Sequence, residues 1–123
     1  MKNKREKYFP KRGEIYLVNF DPTLGSEIKK TTPAIILQNN ISNEFSKGTI
    51  VAAITSQIDS FLYPNEVLIK SPEGGLEKDS IILLNQLRSV DCKRLVKKLG
   101  FVHFSTLIKI ENALKISLGM VDF

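Results

Sequence analysis

Residues 13–20, GEIYLVNF, decide the fold. After Gly13, Ile15, Leu17 and Asn19 alternate with Tyr16, Val18 and Phe20, so apolar side chains fall on both faces of a run with strand periodicity. Working outward, Asp21-Pro22-Thr23-Leu24-Gly25 punctuates the chain as a turn. Behind Pro33, a residue tolerated at a strand edge, AIILQ (34–38) reads as a buried strand rich in β-branched residues. Residues 39–47 are polar, with a short helical turn ended by Gly48, and TIVAAIT (49–55) is a third apolar strand. Residues 66–70 read as a fourth strand, and 71–75 (SPEGG) as a loop. Residues 80–84 form another buried strand that continues through Gln86, Leu87 and Arg88. DCKRLVKKL (91–99) reads as a short basic turn of helix.

The last element is the one long helix. Leu107, Ile110, Leu114 and Leu118 share a face at helical spacing, Ser105 or Thr106 can cap the start, and Gly119 can end it. Short strands broken by turn signals, with one terminal helix, specify a mainly β (α+β) chain. The expected form is a small, strongly bent antiparallel sheet or barrel with a C-terminal helix. No repeat or linker divides it. Residues 12–123 form one domain behind a flexible basic arm at 1–11, which lacks periodicity.

The chain has 123 residues, enough for one core and too few for two. No apolar run approaches the roughly 20 residues that span a bilayer, and MKNKREKYFPKRG has no apolar segment of a secretory signal. The single cysteine, Cys92, cannot form an internal disulfide, which fits a reducing cytoplasm. One histidine and one cysteine do not make a zinc site of the usual kind, so no metal or other cofactor is expected. Eighteen Lys and Arg against 13 Asp and Glu leave a net charge of +5. Such a surplus favours a polyanionic partner, because neutralising phosphates releases counterions.

Most catalytic signatures are missing. Gly74-Gly75 lacks the Lys-Ser/Thr of a phosphate loop, and His103 has no partner imidazole. Cys92 lies beside Lys93 and Arg94, neighbours that lower a thiol pKa, but by itself reads as inert. What remains is a set of polar residues at strand ends and in loops, where sites on stiff scaffolds usually lie. Thr55 and Ser56 follow the buried IVAAI, Gln86 and Arg88 interrupt ILLNQLR, and Ser26, Glu27, Lys29 and Lys30 occupy the loop GSEIKKTTP (25–33).

The order of these motifs resembles the MazF/PemK family of toxin endoribonucleases. RGEIYLVNFDPTLGSE, a short basic loop with a proline, AIILQNN, VAAITSQ, LEKDSIILLNQLRSVD and a helix ending in ALKISLG carry the resemblance from Lys11 to Phe123. It implies a compact SH3-like β-barrel acting as a homodimer. It also implies metal-independent cleavage of single-stranded RNA, usually messenger RNA, at preferred sequences, restrained by a cognate antitoxin whose acidic C-terminal tail lies in the RNA groove. In this chemistry the ribose 2′-hydroxyl attacks its own phosphate and leaves a cyclic phosphate. The reaction needs a proton acceptor, a donor to the leaving oxygen and cationic support for the phosphorane.

The family draws these from an arginine just before the loop proline and a threonine ending the third strand. Thr55 is that threonine, but where the family has arginine this chain has Thr32, followed by Pro33. A guanidinium offers five donors and a permanent charge, a threonine hydroxyl one neutral donor. Three accounts stay open: Lys29 or Lys30 delivers the charge, the protein is a weak nuclease or a non-cutting binder, or the threonine is a detoxifying substitution. The resemblance further assigns Glu27 and Gln86 to RNA bases or ribose, and Ser80 and Asn39 to the groove. Ser26, Lys29 and Arg88 complete the expected RNA-contacting set, and Thr55, Thr32 and Lys30 the expected catalytic set. Poisoning of a protein target such as DNA gyrase, practised by another branch of the fold, fits NQLRSVD and AAITSQ less well.

Overall fold

The computed structural model describes residues 8–21 and 31–122. Six strands, β1 (Glu14–Val18), β2 (Thr32–Ile36), β3 (Gly48–Thr55), β4 (Glu66–Ile69), β5 (Ser80–Asp91) and β6 (Leu95–Phe101), form one antiparallel sheet. Its order is β4-β5-β3-β2-β1-β6. Helix α1 (Asn40–Phe45) lies between β2 and β3, and α2 (Phe104–Ser117) follows β6. This is the mainly β chain with a C-terminal helix that the sequence predicts. The barrel is not closed by hydrogen bonds, since β4 and β6 stand at opposite ends of the sheet order among the described residues.

The gap is spanned instead by a 3-10 turn, Glu73–Gly75, whose backbone lies against β6. Gly75 has φ +78°, and a Cβ there would collide with the Leu99 carbonyl. A Cβ on Gly100 would come within 2.8 Å of the Gly74 backbone. Only residues without side chains let two backbones meet this closely.

The alternation in 13–20 is buried on both faces. Ile15, Ile35, Ala52, Ile54, Ile69, Ile82 and Leu84 form a core covered by Ile110 and Ala113 of α2. Tyr16, Val18, Ala34, Ile36, Val51 and Val90 form a second cluster. Each fully buried branched side chain contributes about 1.5–3 kcal/mol of transfer free energy. Strand β5 serves both β3 and β4 through an irregularity: Ile54 pairs with Ile82, but Ala52 pairs with Leu87. The extra β5 residues between those pairs bend the sheet.

Two local expectations change. The basic stretch 91–99 is not a helical turn throughout: a 3-10 turn covers Cys92–Arg94, and Leu95–Phe101 is strand β6 on the free edge of β1. Edge pairing supplies backbone hydrogen bonds, and edge lysines are a usual means of blunting further strand addition. The start of α2 is capped by neither Ser105 nor Thr106 acting on the helix itself. Glu73 accepts the His103 N–H at 2.9 Å and the Thr106 hydroxyl at 2.6 Å, so a carboxylate from the spanning turn caps the helix. The buried face of α2 is Thr106, Ile110 and Ala113, flanked by Leu107 and Leu114, while Leu118 is 56% exposed. Gly119, at φ +71°, ends α2 in a Schellman motif: its N–H bonds the Ile116 carbonyl and that of Met120 the Lys115 carbonyl.

Of the expected basic arm, residues 1–7 lie outside the described residues. Pro10 is buried, and the Tyr8 hydroxyl lies 2.8 Å from that of Tyr16. No helix of the described residues is long and apolar enough to cross a membrane.

Candidate active-site cleft

The β2–β3 ladder pairs Ala34 with Ala53 and Ile35 with Ala52. Continued by two residues, the same register sets Thr32 against Thr55, at the ends of neighbouring strands. Val18 pairs with Thr32 on one side, and Ile81 with Thr55 on the other. Both threonines open onto a cleft of about 620 Å³. Its apolar floor is Leu17, Pro33, Ile54, Leu76 and Leu99, and Ser56 and Gln57 continue the rim beyond Thr55. Thr55 is half-buried, and its Oγ1 accepts the Gln57 N–H at 3.1 Å. That bond fixes the oxygen while leaving the hydroxyl proton to donate. The threonine of the expected catalytic pair is therefore held at an opening.

The other expected residues divide. Ser80 lines the same cleft, but it is 4% exposed and its hydroxyl donates to the Lys78 carbonyl at 2.8 Å. Gln86 and Arg88 are exposed on β5 and do not line it. Arg88 stacks its guanidinium 4.7 Å over the Phe20 ring. Asn39 does not line the cleft either. Its side chain accepts the Ser42 N–H at 2.8 Å and caps α1. Ser26, Glu27, Lys29 and Lys30 lie outside the described residues.

Three charged residues that the sequence reading did not single out also line the cleft: Glu77, Lys78 and Lys97. Lys97 pairs in register with Leu17, whereas the next residue, Lys98, points away and meets Glu14 at 3.0 Å. The hydrogen bond and charge of Glu14 push the Lys98 pKa up, so that ammonium stays paired and charged. Strand alternation within LVKKLGF is the signal that separates the two lysines. A helical reading of 91–99 hides it.

A second hollow of about 250 Å³ shares Thr55 and Gln57 and is lined by Asp59, Phe61, Glu66 and Ile81. Beside it, Ile58, Phe61, Leu62 and Tyr63 are exposed, with the Phe61 and Tyr63 rings edge to face at 4.7 Å. Exposed aromatic faces suit unstacked bases. Among the described residues, no three His, Cys, Asp or Glu side chains are grouped to hold a metal ion. Burial, and then the charge of Asp91, raise the Cys92 thiol pKa, so this cysteine is not the activated nucleophile that its basic neighbours suggest.

The chain belongs to the PemK-like, MazF-like toxins of type II toxin–antitoxin systems, whose family model matches residues 11–118. It is 44% identical over 113 residues to the endoribonuclease MazF of Staphylococcus epidermidis, covering 92% of this chain and 94% of that one. It is 42% identical to the endoribonuclease EndoA of Bacillus subtilis (strain 168), over 92% and 97% of the two chains. Among solved structures, MazF from Deinococcus radiodurans matches with a TM-score of 0.74 at 26% identity, over 93% of this chain and all of that one. A mycobacterial endoribonuclease in complex with its cognate antitoxin matches with a TM-score of 0.77 at 21% identity, over 93% and 99% of the two chains.

Proposed function

We propose that this protein is the toxin of a toxin–antitoxin pair, a cytoplasmic, metal-independent endoribonuclease that cuts single-stranded RNA at preferred sequences. The observation that carries this reading is the Thr55 hydroxyl, held at the rim of an open cleft next to the Thr32 position and flanked by lysines. An unstacked strand can lay a phosphate in such a cleft and its bases on exposed aromatics, which a duplex cannot do. The ribose 2′-oxygen attacks phosphorus, and the bond to the 5′-oxygen of the next nucleotide breaks. The products are a cyclic phosphate and a 5′-hydroxyl. Thr55 donates to the charged phosphorane oxygens, Glu77 or Glu27 takes the 2′ proton, and the departing 5′-oxygen takes a proton from that carboxylic acid or from water.

Thr32 puts a neutral hydroxyl where the family has a charged fork at a developing oxyanion, so another cation has to carry that charge if the rate is to be kept. Uncompensated, such a loss slows cleavage about a hundred- to a thousandfold. Incubation with a long unstructured RNA and excess chelator is expected to yield discrete fragments with cyclic phosphate ends. Intact RNA at high enzyme excess overturns the reading, and salt-sensitive binding without cutting would identify an impaired RNA-binding homologue.

Residues 12–123 act as one domain. The partners are a second copy of the chain and an antitoxin whose acidic tail competes with RNA for the basic cleft. Exposed Phe104, Ile108, Leu118, Met120 and Val121, on and just beyond α2, support self-association. Light scattering at micromolar concentration is expected to return about twice the 13.9 kDa chain mass. A monomer there counts against a shared groove.

A further inference from the structure

We infer that Lys78 and Lys97 reach the cleft from two sides, hold the scissile phosphate between them and supply the positive charge that Thr32 lacks. The inference rests on the nuclease reading above and names the residues that let it operate. Lys97 begins a row that runs across the sheet beneath the cleft: it pairs with Leu17, and Leu17 pairs with Pro33. The β2–β3 register continues this row to Ile54. At about 4.8 Å per strand, Pro33 is roughly 10 Å from the Lys97 backbone, a span that a lysine stem and a phosphate fill together. On the other side Lys78 lies two residues before β5, whose Ile81 pairs with Thr55. The two ammonium groups thus approach a cleft whose rim includes both threonines.

Three other cations among the described residues are committed elsewhere. Lys70 pairs with Asp79 at 3.2 Å, Lys98 with Glu14 at 3.0 Å and Arg12 with Glu111 at 3.1 Å. The Ser71 N–H and the Lys70 ammonium hold Asp79 below the usual carboxylate range, so it remains ionised and turned towards them. Lys78 and Lys97 are exposed and make no ion pair among the described residues. Against them the described lining offers one carboxylate, Glu77, so the local balance favours an anion. An ammonium is a point charge without a fork. It supports a phosphorane less well than arginine but needs no fixed orientation.

The test compares Lys78→Met, Lys97→Met and the double variant with a Lys47→Met control outside the cleft, in single-turnover cleavage of an RNA oligonucleotide by the full chain. Methionine keeps the apolar stem, and circular dichroism melting checks the fold. Each cleft variant is expected to cut at least about tenfold more slowly at saturating protein, a loss of rate beyond its weaker binding of a 2′-deoxy analogue; a lost oxyanion partner costs more than this at many sites. Thr32→Arg is expected to rescue the double variant at least about tenfold and to raise the wild type much less. Cleavage by all three variants within about twofold of wild type overturns the inference, as does a loss confined to KM. If the wild type binds but does not cut, the nuclease reading fails by itself. The lysine pair is then read from the salt dependence of 2′-deoxy strand binding, where each loss is expected to lower the slope by about 0.7. An unchanged slope overturns it.

Discussion

Thr55→Val is expected to leave a folded protein that cuts RNA about a hundred- to a thousandfold more slowly, the usual consequence of deleting one donor aimed at a developing oxyanion. Valine keeps the β-branched shape at the end of β3, so the half-buried site stays filled. The change removes the donor and also the acceptor for the Gln57 N–H. Since that N–H stands on an exposed rim, water replaces the lost partner and the stability cost is about 1 kcal/mol. Single-turnover cleavage and thermal unfolding, measured on the same preparation, separate the two effects. Thr55→Ser should retain much of the rate. Cleavage by Thr55→Val within a few fold of wild type would move the chemistry away from this hydroxyl and take the cleft assignment with it.

The largest effect on stability is expected at Gly75. Gly75→Ala places a Cβ against the Leu99 carbonyl and forces an L-residue to φ +78°. Backbone strain of this kind costs about 1–3 kcal/mol, and overpacking against a fixed neighbour costs a similar amount. Together they remove a large part of the stability of a small domain. Gly119→Ala is the control, because its φ is +71° but a Cβ there meets nothing within 4 Å. Urea unfolding midpoints should fall slightly for Gly119→Ala and steeply for Gly75→Ala. Equal shifts would show that the close approach to β6 is not stabilising.

Much of this architecture is legible from local chemistry. EIYLV, AIIL and TIVAAIT are β-branched runs between turn signals, and α2 announces itself through its spacing and Gly119. Thr55 stands out because a hydroxyl follows a buried strand. Strand β6 is not legible in this way. Leu95, Val96 and Leu99 also suit one face of a helix, and only the unpaired edge of β1, some 80 residues earlier in the chain, makes them a strand. The same non-local pairing decides which lysine faces the cleft. Asn39 matches a groove position in sequence but serves as a helix cap, and Arg88, placed in the RNA-contacting set, lies on an aromatic ring outside the cleft. Glu73 as the cap of α2 depends on a turn that crosses the sheet ends, a contact separated by 30 residues or more.

The contact of Glu73–Gly75 with β6 has a further consequence. Hydrogen-bonded strands separate only by breaking a ladder, but this seam is fastened by close glycine contacts and a borrowed helix cap. Gly75 and Leu99 at the seam are also walls of the cleft. Because Gly74 of the clasp also packs on Ile15 and Ile69, loosening it widens the mouth and reaches the interior together, and breathing of the mouth and the onset of melting begin as one motion.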